Sequence, residues 1–263
     1  MSGGTADLAQ RARIGAAFAA AQDYDRHARV QHKVALELVE RVSALSLAAD
    51  ARVLEIGCGT GFLTAELVRR GIGASLIVTD LAPAMVERCQ SRVGEAPALT
   101  YRALDGEQGE RPVEAPFDLI VSSLTFQWFD DLPRALARLA GWLAPRGTLA
   151  FTTLAAGTFA EWHNAHRAAG ASAGTPRFAS ADELARMAPP GTNSELVLTR
   201  HLEPQGSARG FLHSLKAIGA GTAAADHRPL PPRVLRQVMA NFEAEGAAAT
   251  YEVATCLFTR AAP

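Results

Sequence analysis

Three alternating glycines follow a short apolar run in Val53-Leu54-Glu55-Ile56-Gly57-Cys58-Gly59-Thr60-Gly61-Phe62, and no other stretch restricts the fold as much. An apolar strand that runs into glycines and opens on a helical pattern reads as the first turn of a strand–helix–strand unit. Glycine turns the chain sharply at positive φ and lets backbone N–H groups approach a ligand that a Cβ would push away. The spacing is Gly-x-Gly-x-Gly, with Glu55 two positions before the first glycine. A dinucleotide fingerprint, Gly-x-Gly-x-x-Gly, would need glycine at position 62, where Phe62 stands. By itself the loop says that a nucleoside-type ligand meets the backbone.

Two carboxylates follow at strand ends. Leu76-Ile77-Val78-Thr79-Asp80 is an apolar run that closes on an acid, 23 positions after Gly57. In a nucleoside-binding unit an acid at the tip of the second strand accepts hydrogen bonds from both ribose hydroxyls. Each such charge-assisted bond is worth about 1.5–3 kcal/mol. Asp80 also reads as an N-cap for a helix starting near Pro83; the two roles are compatible, and strand, glycine loop, helix and acidic strand end together favour the ribose role. A third apolar run, Leu99 to Leu104, leads into Asp105-Gly106-Glu107, where Asp105 is also a natural turn residue. Cys58 is small enough for its tight loop position and reads as packing, not as a nucleophile.

Apolar runs separated by helical segments predict a parallel sheet covered on both faces. Strands are expected at 52–56, 75–79, 98–103, 117–122 and 147–154, the last after a Pro145-Arg146-Gly147 turn. Helices are expected at 10–21, 27–46, 61–70, 83–92 and 131–143. Further on come helices at 158–169, 181–187, 207–219 and 231–244, an extended Glu195–Leu202, and a last strand Ala249–Arg260. Helices between the late strands would form a lid over the carboxyl ends of the sheet. With 263 residues the chain is one large domain or a domain plus cap. No apolar stretch reaches the about 18 residues of a membrane span. Three cysteines without metal-ligand spacing point to a reducing, cytoplasmic setting and no metal. A net charge of −1 gives no support to nucleic-acid binding.

Glu/Asp-x-Gly-x-Gly-x-Gly at the end of a first strand resembles motif I of class I S-adenosylmethionine (SAM) methyltransferases. The fold this implies is α/β and Rossmann-like: seven strands, mostly parallel, with an antiparallel last strand and a helical cap. Four further segments resemble the malonyl-acyl-carrier-protein O-methyltransferases of biotin synthesis. They are Ala16-Ala17-Phe18 with Tyr24-Asp25 and Ala28; Ser123-Leu124-Thr125-Phe126-Gln127-Trp128; Phe151-Thr152-Thr153-Leu154 with Gly157; and Ser214-Leu215-Lys216-Ala217-Ile218-Gly219-Ala220 with Thr250-Tyr251. Together they span about residues 10–260. Pro176 stands where that family commonly has Asn before Arg177-Phe178, and Glu252 where a basic residue is often present after Tyr251.

The resemblance implies SAM as cofactor, S-adenosylhomocysteine as product, and Asp105 at the adenine amino group. It places Glu55, Gly57, Cys58, Gly59, Gly61, Asp80, Leu81, Asp105, Gly106, Ser122 and Phe18 at the cofactor. The implied acceptor is the carboxylate of malonyl on an acidic acyl-carrier protein. Such a carboxylate is ionised at neutral pH, so no general base is required. Gln127, Trp128, Lys216, Arg177 and Tyr24 are candidates to position it, each also readable as core packing or solvated charge. Arg26, Arg29 and Lys33, with Arg11 and Arg13, form a candidate landing surface for the carrier. His163 falls in a cap helix and reads as a surface residue. Residues 1–46 are expected to cover the cofactor, 47–156 to bind it, and 157–263 to supply cap helices and final strands, in one monomeric domain. Two alternatives stay open: methylation of another small carboxylic acid or quinone precursor, and a non-catalytic SAM-fold regulator.

Overall fold

The computed structural model describes residues 28–217 and 228–262. Phe18, Tyr24, Arg11, Arg13, Arg26, the helix expected at 10–21 and the segment Ile218-Gly219-Ala220 lie outside the described residues. The strands are β1 (Arg52–Ile56), β2 (Ser75–Asp80), β3 (Leu99–Ala103), β4 (Phe117–Ser123), β5 (Leu143–Leu154), β6 (Thr192–Pro204) and β7 (Ala248–Arg260). The helices are α1 (Arg29–Ser43), α2 (Phe62–Arg69), α3 (Pro83–Val93), α4 (Leu132–Ala140), α5 (Ala160–Ala168), α6 (Ala181–Arg186), α7 (Ala208–Ala217) and α8 (Pro232–Ala244).

Seven strands form one sheet in the order β3-β2-β1-β4-β5-β7-β6. The pairs β1–β2, β1–β4, β2–β3 and β4–β5 are parallel. β7 runs against its neighbours. Thr148 meets Thr259 while Ala155 meets Glu252, and Gly191 meets Ala261 while Gln205 meets Ala247. The chain leaves β1 toward β2 and β3, then crosses to the other side of β1 with β4. That reversal opens a crevice at the carboxyl ends of β1 and β4.

The chain divides into two compact units. The first comprises residues 31–153 and 181–198 with the chain from Ala254 onward. In it Val53, Leu76, Val78, Leu119 and Val121 share a core with Ala35, Leu38, Val39 and Val42, an i, i+3, i+4, i+7 stripe of α1. The intervening Leu54, Ile77 and Ile120 are also buried, as a strand covered on both faces requires. Phe151, on the opposite face from Ala150, packs against Phe126 and Phe258 with ring centroids 4.9 and 5.5 Å apart. The expected turn at Pro145–Gly147 is instead a bulge inside β5. Phe117 pairs with Leu143 and Leu119 already with Thr148, so the extra residues loop out at Arg146, whose φ is 65°. No helix among the described residues is long and apolar enough to cross a membrane.

The second unit comprises, among the described residues, 28–30, 154–180, 199–217 and 228–253. Its centre is aromatic. Phe159 meets Tyr251 and Phe211 at 4.9 and 5.2 Å, and Trp162 meets Phe211 and Phe242 at 5.2 and 5.3 Å. Beside this cluster Glu252 is buried, with Oε2 accepting from the Gly157 N–H at 2.8 Å and Oε1 from Arg200 Nε at 2.9 Å. A Cβ on Gly157 would lie 2.7 Å from that carboxylate, so glycine and glutamate fit as a pair. Glu252→Ala is expected to cost about 1–3 kcal/mol in urea unfolding, because a part-buried N–H loses its acceptor. Arg200→Ala should cost less than about 1 kcal/mol, since the arginine side chain is 74% exposed and its charge is screened.

Candidate active site

Three neighbouring strands of the first unit bring the glycine loop and the two strand-end acids to one edge of the sheet. Gly57, Gly59 and Gly61 take φ values of 73°, 53° and 90°. The Cys58 N–H donates to Thr79 O at 2.9 Å, and the Gly59 N–H donates to Asp80 Oδ2 at 2.9 Å. Gly61 opens α2, and a Cβ there would sit 2.9 Å from Cys89 Sγ. At Gly59, by contrast, a Cβ would meet nothing within 4 Å. The middle glycine therefore faces open space, and its neighbours are hemmed in by protein.

Asp80 accepts a second backbone bond at Oδ1 from the Ala82 N–H, 2.9 Å away, just before α3. Burial raises its pKa, and the backbone N–H groups of Ala82, Gly59 and Leu81 oppose that rise. Next to it the apolar side chain of Leu81 is 45% exposed. Asp105 Oδ1 accepts from the N–H groups of Glu107 and Gln108 at 2.8 and 2.9 Å, so the turn role holds. Gly106 is buried, and a Cβ on it would lie 2.2 Å from Ile56 Cγ2.

The turn after β3 is gripped from α4. The Arg138 guanidinium donates through Nη1 to Gly109 O and through Nη2 to Gly106 O, the latter at 2.8 Å. It also lies over the Trp142 ring, 4.7 Å from the centroid. Burial lowers the Arg138 pKa, while the Asp105 and Glu107 charges hold it up. Glu107 Oε1 accepts from the Asp131 N–H at 2.7 Å, and Asp131 in turn caps α4 through Arg134 N. Sequence reasoning did not single out Arg138, because an arginine on an amphipathic helix carries no spacing signal.

At the end of β4, Leu124 has φ 49°, a left-handed conformation that costs a non-glycine residue about 1–2 kcal/mol. Its N–H is held by both the carbonyl and the hydroxyl oxygen of Thr152, each at 3.0 Å. Gln127 Nε2 donates to Leu124 O at 2.7 Å and its Oε1 accepts from Thr153 at 3.4 Å. Trp128 is half-buried in the same short 3₁₀ turn. Ser122 is buried and donates to Ile56 O at 2.7 Å, tying β4 to β1 beneath the loop.

Glu55 lies behind the glycines, fully buried. Its Oε2 accepts from Thr64 Oγ1 at 2.7 Å, and its Oε1 has no hydrogen-bond partner. Burial pushes its pKa well above the usual carboxylate range, Cys89 adds to that, and the Thr64 bond opposes it. A folded pKa above the unfolded one means the folded chain holds the proton more tightly. That contribution is complete below the unfolded pKa and is lost as pH rises through the folded pKa. Glu55→Gln should thus match the parent at acid pH and become the more stable of the two as pH rises. The parent should lose up to about 1.4 kcal/mol per pH unit across that window. Parallel unfolding curves for the two proteins over a pH series would contradict this.

Of the remaining candidates among the described residues, all but Lys33 lie in the second unit. Lys216 is exposed in the last turn of α7, and Arg177 is exposed between α5 and α6. His163 Nε2 is 3.0 Å from Thr175 Oγ1, with its pKa lowered by burial, so it is half-buried and not a surface residue. Arg29 lies 3.5 Å from Glu203, and Lys33 of the first unit is exposed.

The profile of the methyltransferase domain family matches residues 24–189. Among curated relatives, the biotin biosynthesis bifunctional protein BioCD of Bordetella avium is 43% identical over 237 residues. The match takes in 90% of this chain, which spans half the length of that relative. The malonyl-[acyl-carrier protein] O-methyltransferase of Magnetococcus marinus is 38% identical over 251 residues, covering 94% of this chain and 92% of the relative. The chain belongs to the malonyl-[acyl-carrier protein] O-methyltransferase family. The YcgJ protein of Bacillus subtilis shares the fold at a TM-score of 0.61 and 16% identity, covering 87% of this chain and 99% of its own.

For a malonyl-[acyl-carrier protein] O-methyltransferase family member, the residues present fit SAM. The open space at Gly59 admits a ligand to the loop, and Asp80 and Asp105 stand at the ends of adjacent strands with the exposed Leu81 between them in sequence. Glu55 and Ser122, buried beneath the loop, fit a supporting role within it better than ligand contact.

Proposed function

We propose that this chain transfers a methyl group from SAM to the free carboxylate of malonyl carried on acyl-carrier protein, giving the methyl ester used in biotin synthesis. The observation that carries the cofactor half is the bond from Gly59 N–H to Asp80, which fixes the open face of the loop beside a carboxylate. The full-length relationship to a protein named for the malonyl-carrier reaction supports the acceptor.

SAM supplies a methyl group on a sulfonium centre, already activated for displacement. The chain then has to bind, orient and exclude water. Asp80 would accept from the ribose hydroxyls, Asp105 from the adenine amino group, and Leu81 would cover the base. The malonyl carboxylate is ionised at neutral pH and needs no proton removed, so a site without a His–Asp or Cys–His pair is chemically sufficient. Gln127 and Trp128 follow β4 at the crevice, with Lys216, Arg177 and Tyr24 as further groups to hold the acceptor. Bringing oxygen and methyl carbon into line at about 3 Å is the contribution expected of such positioning groups. Arg29 and Lys33, with Arg26, would meet an acidic carrier.

The test is transfer of tritium from methyl-labelled SAM, offered malonyl-carrier protein, malonyl-CoA and trans-aconitate in parallel. Labelling of the malonyl-carrier protein in preference to trans-aconitate is expected. Preference for trans-aconitate would overturn the acceptor, and calorimetry showing no SAM binding would overturn the cofactor. Rescue of a biotin-auxotrophic strain lacking this step provides the cellular counterpart.

A further inference from the structure

We propose that Arg138 is the positioning residue for adenine recognition: from α4 it sets the Asp105–Gly109 turn, and thereby the direction in which the Asp105 carboxylate is presented. The inference rests on the cofactor reading above and deepens it. One planar guanidinium bonds two carbonyls of a single turn, Gly106 O and Gly109 O, while its face lies on Trp142. A fork of this kind fixes orientation as well as distance, which an ammonium on a flexible stem does not.

Gly109 N donates back to Asp105 O at 2.8 Å and Asp105 Oδ1 caps its own turn, so the segment is closed on itself. Its links outward include those to α4, through Arg138 and through Glu107 to Asp131, and the close approach of Gly106 to Ile56. The Glu107 link holds the helix start. The Arg138 link holds both ends of the glycine-bounded stretch. Arg138 touches no ligand itself and acts through Asp105.

Reading an amino group is a matter of direction. A carboxylate aimed at the C6 position accepts from the adenine amino group and is repelled by the C6 carbonyl of hypoxanthine. The experiment compares S-adenosylhomocysteine with S-inosylhomocysteine by calorimetry on the parent protein, Arg138→Lys, Arg138→Met and Asp105→Asn, with melting temperatures recorded for each. The parent should prefer the adenine ligand by about tenfold or more. Arg138→Lys, which keeps the charge but not the fork, should compress that preference to within about threefold of the Asp105→Asn value. If Arg138→Met does not fold, Arg138→Lys carries the comparison alone.

A purely structural arginine would lower the melting temperature, or weaken both ligands in parallel, and leave the preference unchanged. That result overturns the inference and leaves the cofactor reading standing. A parent protein with no preference for adenine overturns the role given to Asp105, and the inference with it.

Discussion

Gly57→Ala is expected to weaken SAM binding by at least about 30-fold and to lower the melting temperature as well. A Cβ at this position falls 2.1 Å from Thr125 Oγ1 and 2.4 Å from its Cγ2, at a backbone φ of 73°. The left-handed conformation costs about 1–2 kcal/mol for an L side chain, and forcing a methyl into packed surroundings about 1–3 kcal/mol more. The chain can relieve the strain only by shifting the loop or by unfolding more readily, and either route raises the dissociation constant. Gly59→Ala separates the two effects. Nothing within 4 Å opposes its Cβ, so stability should fall by only about 1–2 kcal/mol, the conformational cost alone. The same methyl would project into the space left for the ligand, so affinity should still fall. Calorimetry and thermal unfolding on both variants check this. A Gly57→Ala protein unchanged in both would contradict the close approach to Thr125.

Asp80→Asn should reduce SAM affinity by about 100-fold or more while shifting stability little. Both carboxylate oxygens of Asp80 accept backbone N–H groups, from Gly59 and Ala82. Asparagine keeps one acceptor and turns a donor toward the other N–H. Bonds to a charged acceptor are worth about 1.5–3 kcal/mol each, so losing one at the loop and another at the ribose is a large change for binding. Stability responds less, because burial already disfavours the charged form of Asp80, and removing that charge relieves the penalty. The raised pKa also gives a sign. As pH falls, Asp80 takes up its proton at a higher pH than an ordinary aspartate, and SAM affinity should decline with it. In Asp80→Asn that decline should be absent. A parent protein whose affinity is flat across the acid range would count against Asp80 as the ligand's acceptor.

The strands of the first unit were legible because buried parallel strands write themselves as short apolar runs, and the glycine loop marked where the first one ends. The antiparallel β7 came with the family resemblance. Boundaries were misread where local chemistry has two solutions. Pro145-Arg146-Gly147 carries the composition of a turn, yet Leu143 pairs with Phe117, so the chain bulges and the strand continues. The glycines and the strand-end acids of the candidate site were legible as a group, because each follows directly on an apolar run. Arg138, the Glu107–Asp131 link and the left-handed Leu124 were not, because each depends on a partner distant in sequence. Glu252 looked like a departure from the family pattern. Its pairing with Gly157 and Arg200 gives that departure a local partner set.

The contact between Gly57 and Thr125 joins two loops 68 residues apart, and Thr125 Oγ1 donates to Gly57 O at 3.3 Å. Volume at one position is therefore room denied at the other. Thr125→Gly should return part of what Gly57→Ala removes, namely the steric share and not the conformational one, so the two substitutions will be non-additive. The loops after β1 and β4 consequently cannot vary independently. A chain that remodels the loop after β4 inherits a constraint from the loop after β1, and the two must change together.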